Sequence, residues 1–440
     1  MESFLIKALQ LVVALSLLVI IHEFGHFLWA RLFKIRVEKF YLFFNPWWTP
    51  FKWKPKNSDT EYGIGWLPLG GYVKIAGMID ESMDKDQMAQ PPKPDEFRVK
   101  PAWQRLLVMA GGVLNNFILA IIIYAGIAWY WGEKTIPYEN AYEGMDFSKE
   151  AVELGFRKGD ILLAANGQKI DQTDRGHLFK VLESNTVTVL RNHTDTVVIN
   201  LPKNAIERLD PEHGFMAYRV PVFVKNVISG EPAAKAGIME NDRIIAVGDS
   251  LTPSYTELVP ALTAYAGRQT DIGLMRNGQP VTVKATPDDN GKLGFQLMAP
   301  DHIFVCDTTR YGFFQSFPVG ISDGTDMLVT YVGSLKMLFT KAGAQSIGGF
   351  GAIGNMFPPK WDWRTFWEMT AFLSIILAFM NVLPIPALDG GHIMFTFYEV
   401  VTRRKLPDAF LEKAQMAGML FLITLLIYAN FNDIYRFIIK

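Results

Sequence analysis

"VIIHEFGHFLWARLF", residues Val19 to Phe33, places two histidines and a glutamate directly after the apolar run Leu11–Ile21. Ionisable side chains inside a lipid-facing helix are costly, so each of them needs a partner or a function. In a helical His-Glu-x-x-His sequence the two imidazoles lie on one face, one turn apart, where both reach the same zinc ion. The intervening glutamate can then act as general base. We therefore expect a membrane helix with His22 and His26 as metal ligands and Glu23 as catalytic base.

The composition of the chain indicates a membrane protein with substantial water-exposed parts. Of its 440 residues, 50% are hydrophobic and 20% are charged, which suits neither a soluble enzyme nor a plain bundle of spans. The formal net charge of −1 gives no indication of nucleic-acid binding. The single cysteine, Cys306, excludes an intrachain disulfide. The first apolar run is not followed by the small-x-small site of a signal peptide, and cleavage there would sever the histidine pair.

Four apolar stretches have the length of roughly 20 residues that a transmembrane helix needs. We expect these four helices within residues 1–33, 104–132, 362–392 and 408–440. Pro384 and Pro386 break the third stretch near its end. A shorter apolar stretch, Met327–Phe339, is closely flanked by charged residues and favours an interfacial helix inside a linker, residues 301–361.

Lysine and arginine residues set the expected orientation of the chain. They are frequent in the cytoplasmic loop that we assign to residues 34–103, and they recur after the third span at Arg403, Arg404 and Lys405. Short connections rich in positive charge stay in the cytoplasm. The N-terminus, the long insert after the second span and the C-terminus are therefore expected outside.

The long insert contains two copies of one pattern. "LGFRKGDILLAANGQKI" (Leu154–Ile170) and "AGIMENDRIIAVGDSLT" (Ala236–Thr252) share a glycine, an aspartate and the apolar alternation that follows. A strand, an Arg-Asn turn and another strand follow each copy. The pattern resembles PDZ domains, with the first copy shortened or permuted at its start. We predict two extracytoplasmic PDZ-like β-rich domains, residues 133–205 and 206–300; the alternative is an unrelated barrel or sandwich with repeating turns.

A catalytic zinc site needs a third protein ligand, and the sequence offers one candidate at a matching depth. Metzincins supply a histidine six positions after the second one, but Leu32 stands there in this chain. Asp389, in "NVLPIPALDGGH", follows the third span, which approaches the cytoplasmic face as the first does. We expect His392 to lie near the metal or at the interface without binding it. The alternative is a chance motif whose residues hydrogen-bond to neighbouring helices.

A second set of residues is predicted to hold the substrate. "EYGIGWLPLGGYVKIAGM" (Glu61–Met78) alternates around a Pro and Gly-Gly turn, which predicts a β-hairpin on the cytoplasmic side. An exposed strand edge captures unwound peptide by strand addition, so the candidates here are Gly70, Gly71 and Tyr72. The alternative is a hairpin that only packs on the core.

Three asparagines lie within the second and third spans. Asn381 is a candidate for holding the substrate backbone, or else for bonding one helix to another. Asn115 and Asn116 are interpreted as such contacts between helices.

The paired motifs, His-Glu-x-x-His in the first span and Asn-x-x-Pro-x-Pro-x-Leu-Asp-Gly-Gly after the third, resemble the site-2 protease family of intramembrane zinc metalloproteases. Four spans with tandem PDZ domains between the second and the third resemble its bacterial branch. The resemblance implies a polytopic α-helical membrane protein with a membrane-associated β-region. It implies Zn²⁺ bound by His22, His26 and Asp389, with Glu23 as base and Asn381 on the substrate strand.

The same resemblance implies an endopeptidase of the bacterial cytoplasmic (inner) membrane, with its active site near the cytoplasmic side. Its expected partners are membrane lipid and single-span substrates already trimmed by another protease, such as anti-sigma factors or signal-peptide remnants. The PDZ pair would act as a size filter on the periplasmic side. The chain departs from the family at Gly111–Gly112, where relatives often have Gly-Pro, and in "SIGGFGAIGNM" (Ser346–Met356), which lacks a related proline.

Two other classes of function are alternatives to a protease. A non-proteolytic PDZ scaffold with a structural metal site would bind partners without cutting them. A metal permease would need ionisable residues along several spans, and the second and fourth spans carry almost none.

Overall fold

The computed structural model describes residues 2–68, 70–78, 90–172, 177–208, 215–335 and 348–435. Two compact units divide the chain: a membrane unit, residues 1–132 and 310–440, and an insert unit, residues 133–309. The helices, in chain order, are α1 (Glu2–Leu32), α2 (Ala102–Tyr130), α3 (Lys149–Glu153), α4 (His177–Glu183), α5 (Ala205–Arg208), α6 (Pro232–Lys235), α7 (Tyr255–Ala264), α8 (Pro300–Ile303), α9 (Ser316–Ser334), α10 (Phe350–Met356), α11 (Trp363–Val382), α12 (Asp389–Thr402) and α13 (Asp408–Ile434).

The strands are short, as expected for two small β-rich cores and a small membrane-side sheet. In chain order they are β1 (Val37–Leu42), β2 (Phe51–Trp53), β3 (Glu61–Ile64), β4 (Tyr72–Ile75), β5 (Glu133–Thr135), β6 (Met145–Phe147), β7 (Ile161–Ala165), β8 (Gln168–Lys169), β9 (Thr186–Arg191), β10 (Asp195–Asn200), β11 (Met216–Tyr218), β12 (Val222–Val227), β13 (Arg243–Val247), β14 (Ser250–Leu251), β15 (Thr270–Arg276), β16 (Gln279–Ala285), β17 (Phe295–Leu297) and β18 (Asp307–Thr309).

Four helices of the described chain, α1, α2, α11 and α13, are long and apolar enough to cross a membrane, in agreement with the four long apolar helices predicted. Helix α2 is central, since α1, α9, α11 and α12 all pack against it. Glycines allow the closest approaches: a Cβ on Gly25 of α1 would lie 2.2 Å from the carbonyl oxygen of Gly111 on α2. Small residues at such crossings let helix backbones meet. The crossing fixes α1 against α2 beside the His-Glu-x-x-His sequence.

The chain turns back between α11 and α12. The prolines expected to break the third span, Pro384 and Pro386, lie between these two helices and cannot donate the hydrogen bonds that would continue α11. Gly390 packs onto this turn so closely that a Cβ would lie 2.0 Å from the Leu383 carbonyl oxygen. Helix α12 is anchored to α2 by an ion pair of 2.5 Å between Glu399 and Arg105. Asp389 is thereby held in the first turn of α12.

A four-stranded sheet in the order β2-β3-β1-β4 follows α1. Strand β1 pairs with β3 in parallel and with β4 in antiparallel fashion, with Tyr41 opposite Tyr72. The predicted hairpin is therefore wrong, because β1 lies between the two strands that were expected to pair. Tyr41 explains this arrangement: its side chain is buried against Gly63 and its hydroxyl donates to Glu61 at 2.6 Å. The sequence alternation predicted the strands but not their partner.

The insert unit contains two hydrophobic cores. The first is built from residues between Tyr138 and Phe215 around the sheet β10-β9-β7-β8. The second is built from residues between Val222 and Leu293 around the sheet β16-β15-β13-β12-β17. Strand β11 pairs with β6, so the first core includes chain beyond residue 205.

Each of the two cores contains the same arrangement of hydrogen bonds around an arginine. In the first, Arg191 binds Asp160 at 2.7 Å and the Gly155 carbonyl at 3.0 Å. In the second, Arg276 binds Asp242 at 2.6 Å and the Gly237 carbonyl at 2.8 Å. Each arginine ends the strand before an Asn turn whose Asn has positive φ, 56° at Asn192 and 51° at Asn277.

Two segments singled out in the sequence fall partly outside the described residues. Of the stretch Met327–Phe339, residues 336–339 are not described, and residues 327–334 belong to α9, which packs on α2 and α11. Of Ser346–Met356, residues 346 and 347 are not described, and the remainder leads into α10.

Candidate active site

Helix α1 and the first turn of α12 bring two imidazoles and one carboxylate together. His22 and His26 lie one turn apart on α1, with Nε2 atoms 3.3 Å from each other. The Asp389 Oδ2 atom lies 3.1 Å from His22 Nε2 and 3.3 Å from His26 Nε2. Both histidines are buried, at 8% and 7% exposure. The three predicted metal ligands thus form one cluster, although more than 360 residues separate the first from the last in the sequence.

The spacing of these three atoms fits zinc. Tetrahedral Zn²⁺ with bonds of about 2.0–2.1 Å to nitrogen and oxygen requires ligand atoms about 3.3 Å from one another. The observed separations of 3.1, 3.3 and 3.3 Å agree with this requirement. The buried Asp389 Oδ2 also receives no well-aligned hydrogen bond from any described residue, as expected of an oxygen directed at a cation. Three protein ligands leave the fourth position for water or substrate, the pattern of catalytic zinc.

Helix α2 places a polar group beside the Nδ1 atom of each histidine. The Nδ1 atom of His26 lies 2.8 Å from the Val108 carbonyl oxygen, to which it donates, and this leaves Nε2 as the metal-binding nitrogen. Asn116, fully buried, has its side-chain amide 3.3 Å from the Nδ1 atom of His22. Gly112, between Val108 and Asn116 in the sequence, faces both imidazole rings: a Cβ there would come 2.4 Å from His26 Nε2 and 2.7 Å from His22 Cε1.

Glu23 lies beside the cluster and against strand β4. Its carboxylate interacts with the backbone of Val73 on that strand. Gly71 adjoins it so closely that a Cβ would lie 3.5 Å from Glu23 Cγ and 2.7 Å from a methyl of Val19. The glycine therefore lets the segment that leads into β4 approach the helix carrying the catalytic candidate.

One cavity of about 700 Å³ connects the cluster with the candidate substrate-binding residues. The candidates that line it alongside the ligands are Glu23, Gly70, Gly71, Tyr72 and Asn381, and His392 lines it as well. The Asn381 amide nitrogen lies 3.5 Å from His22 Nε2. All of the candidate site residues from the sequence therefore meet in one cavity; their assignment to substrate stays a prediction.

Sequence reasoning missed the contribution of α2. The sequence favours a contact between helices for Asn116 and does not by itself assign Val108 or Gly112 to the site. A signal was present, since these residues recur at intervals of four and so share one helix face. What the sequence lacked was the rotation of that face toward α1.

A buried His-His-Asp cluster with an adjacent glutamate, in a unit with four helices long enough to span a membrane, defines a metalloprotease-type centre in a polytopic membrane protein. Comparison with protein families specifies this class further. The chain belongs to peptidase family M50, the site-2 protease family, whose model matches residues 10–425.

Relatives match over nearly the full length of the chain. The regulator of sigma-E protease RseP of Escherichia coli (strain K12) is 28% identical over 468 residues, covering 99% of this chain and 100% of that protein. The regulator of sigma E protease of Haemophilus influenzae is 27% identical over 462 residues, with the same coverage. A Vibrio cholerae protein named provisionally as a zinc metalloprotease is 27% identical over 469 residues, again at 99% and 100%. The protein is accordingly a membrane-embedded metalloprotease, and its cofactor is Zn²⁺.

Proposed function

We propose that the protein is an intramembrane endopeptidase that cuts the transmembrane segments of single-span proteins already trimmed by another protease. Anti-sigma factors are the proposed substrate class, cut in regulated intramembrane proteolysis at a bacterial inner membrane. The observation that carries the proposal is the cluster of His22, His26 and Asp389. Its ligand atoms have the spacing of a zinc site, and the cluster lies in the part of the chain that holds the apolar helices. Two relatives named as regulators of sigma-E protease support the substrate class.

The residues that line the cavity are proposed to have different roles in the reaction. His22, His26 and Asp389 would hold zinc, which when bound supplies Lewis-acid activation of water and of the scissile carbonyl. Glu23 takes a proton from the attacking water and then gives it to the nitrogen of the leaving amine. The side-chain amide of Asn381 would hydrogen-bond the substrate backbone beside His22.

The approach of the substrate is proposed to use the end strand β4. A peptide bond inside a helix is shielded by its own hydrogen bonds, so the substrate must be extended before it is cut. Strand β4 ends the sheet order β2-β3-β1-β4 of the described chain and lines the cavity that holds Glu23. Addition of an extended substrate strand alongside it would satisfy backbone groups on both chains. Gly70, Gly71 and Tyr72 are the residues proposed to contact that strand.

The sheet itself is proposed to associate with the membrane surface on the cytoplasmic side. Five aromatic side chains on β2 and in the segments that follow β1 and β3 are exposed: Trp47, Trp48, Phe51, Trp53 and Trp66. Exposed aromatic patches of this kind mark interaction sites, and tryptophan favours the membrane interface. Lys52 and Lys54 alternate with the aromatic residues of β2 and suit anionic headgroups.

The insert unit is proposed to be a tandem of PDZ-like domains on the periplasmic side, which excludes substrates with bulky outer domains. The internal repeat in the sequence and the matched Arg–Asp–Gly contacts of the two cores support the tandem. The orientation rests on the basic residues of the loop 34–103 and of the segment after α12.

The proposed function is tested by replacing Glu23 with Gln in the full-length protein. Because general acid–base catalysis contributes 10²–10⁴-fold, cleavage of a model transmembrane substrate in liposomes should fall by at least about 100-fold. Zinc content should stay at the wild-type level, since Glu23 is not a ligand. The exposed Glu207→Gln variant of the insert unit serves as control and should cleave normally.

Undiminished cleavage by the Glu23→Gln protein would refute the assigned mechanism. A wild-type protein that binds zinc and the trimmed substrate but never cuts it would instead favour the membrane-anchored scaffold.

A further inference from the structure

The polar side chain of Asn116 is fully buried. It is 0% exposed in the middle of α2, and its amide nitrogen lies 3.3 Å from His22 Nδ1. Its amide oxygen is buried and has no hydrogen-bond partner within the described chain. A buried polar atom without a partner costs about 1–3 kcal/mol, so this oxygen calls for a specific explanation.

The chemistry of His22 supplies that explanation. When Nε2 of a neutral imidazole binds a metal, Nδ1 carries the proton and becomes a donor. A donor facing the amide NH₂ of Asn116 would be repelled, whereas the amide oxygen would accept its hydrogen bond. Rotating the amide by 180° exchanges nitrogen for oxygen without altering the shape of the side chain. The rotation gives Oδ1 a partner and Nδ1 an acceptor, and the NH₂ group takes the position that the oxygen held.

We propose that Asn116 is the positioning residue of His22: its amide oxygen accepts the Nδ1 proton and fixes the tautomer in which Nε2 faces zinc. This inference rests on the proposed function only in taking His22 as a metal ligand. Helix α2 then orients both histidines from one face, with the Val108 carbonyl on His26 and the Asn116 amide on His22, eight residues apart.

Neighbouring Asn115 provides a matched contrast. It is the same residue type on the same helix, and its amide donates to the Ile21 carbonyl of α1 at 3.4 Å. That contact joins the helices through the backbone and does not involve an imidazole. Loss of Asn115 should therefore weaken packing without changing the affinity for zinc.

The experiment compares zinc affinity among full-length wild type, Asn116→Ala, Asn116→Asp and Asn115→Ala, by competition with a zinc chelator. Removing an outer partner of a metal ligand costs about 10–100-fold in metal affinity, which is the expected loss for Asn116→Ala. Asn116→Asp retains an acceptor of the same shape and should stay within about threefold of wild type, as in carboxylate–histidine–zinc arrangements. Asn115→Ala should bind zinc as wild type does.

Unchanged affinity in Asn116→Ala would overturn the proposal, because the residue would then matter for packing alone. An equal loss in Asn116→Asp would also overturn it, because an acceptor of the same shape would have failed to hold the imidazole. If Asn116→Ala does not fold in the apo form, Asn116→Leu, which keeps a similar shape and has no acceptor, takes its place: weaker zinc binding than in Asn116→Asp supports the proposal, and equal binding refutes it. Substrate cleavage by wild type is measured in parallel. Zinc binding that follows the expected order without any cleavage would refute the proposed function and leave the role of Asn116 intact.

Discussion

Gly112 leaves the space that the two histidine rings of the metal cluster occupy, because it has no side chain. A Cβ at this position would lie 2.4 Å from His26 Nε2, well inside contact distance. We expect Gly112→Ala to displace the imidazole and to lower zinc affinity at least about tenfold, an effect within the range for positioning changes around metals. Chelator competition on the full-length protein measures the loss.

Gly126 of the same helix provides the control for this substitution. A Cβ there would meet nothing within 4 Å, so Gly126→Ala should leave zinc affinity unchanged. Alanine should also stabilise the helix, by up to about 1 kcal/mol. Equal zinc affinity in the two variants would show that the cluster tolerates a methyl group and that Gly112 does not shape it.

At the level of single residues, the sequence predicted the ligand types but not their support. His22, Glu23 and His26 were found from a spacing within one helix, and Asp389 from its depth at the end of another span. These features can be read from the sequence because each depends only on residues that are near one another along the chain. The roles of Gly112 and Asn116 depend on which face α2 turns toward α1, and that rotation is set by tertiary packing at Gly25 and Gly111.

At the level of elements, the membrane-side sheet shows where sequence patterns lose information. Alternation located the strands near Glu61–Ile64 and Tyr72–Ile75 but could not reveal that β1 inserts between them. Period-two patterns specify which faces are buried, not which strand is the neighbour. The proline break after α11 was predictable for the opposite reason, since a missing backbone donor acts at its own position.

The close approach of the Gly70–Gly71 segment to α1 leads to a prediction about this sheet. A side chain at Gly71 would press on Val19 and on the Tyr41 carbonyl, both 2.7 Å from a Cβ. Gly71→Val should therefore move β4 away from Glu23 and lower kcat/KM for a transmembrane substrate about tenfold or more, because small misplacements of a reacting group are costly. Zinc affinity should be unchanged, in contrast to Gly112→Ala, since Gly71 contacts none of the metal ligands.

Asn57→Val, at an exposed position of the turn between β2 and β3, is the matched control and should cleave normally. Zinc loss in Gly71→Val, or cleavage equal to wild type, would contradict the proposed role of β4.

At the scale of the whole molecule, the two units can be followed separately. All 11 tryptophans lie outside residues 133–309, so tryptophan fluorescence reports on the membrane unit alone. Hydrogen exchange of peptides from residues 133–309 reports on the insert unit. The sequence repeat predicted two β-rich modules in that unit but contained no signal for how their cores are joined, because the joining contacts are long-range ion pairs.

Those ion pairs centre on Arg219, between the two cores. Its guanidinium binds Glu257 of α7 at 2.5 Å and lies 3.3 Å from Asp146 of β6. Lys158 also pairs with Glu257, at 2.6 Å. Although burial opposes ionisation, the hydrogen bonds from Lys158, Ser254 and Arg219 lower the pKa of Glu257 to about 2. The network joins the first core to the second; Arg219, Asp146 and Glu257 are largely shielded from water, whereas Lys158 is half exposed.

A pH dependence of the insert unit follows from this lowered pKa. Because the folded pKa lies below the ordinary value of 4.5, the carboxylate stabilises the fold at neutral pH, and this stabilisation is lost as the pH falls from about 4.5 toward 2. Charged hydrogen bonds of this kind contribute about 2 kcal/mol, so Glu257→Gln should lower stability by roughly that amount at pH 7 and remove most of the added acid sensitivity. Urea unfolding of the full-length protein, followed by pulsed hydrogen exchange in residues 133–309 at pH 7 and pH 3, measures both effects. The exposed Glu240→Gln variant should behave as wild type, and a wild-type insert equally stable at both pH values would contradict the role given to the Arg219 network.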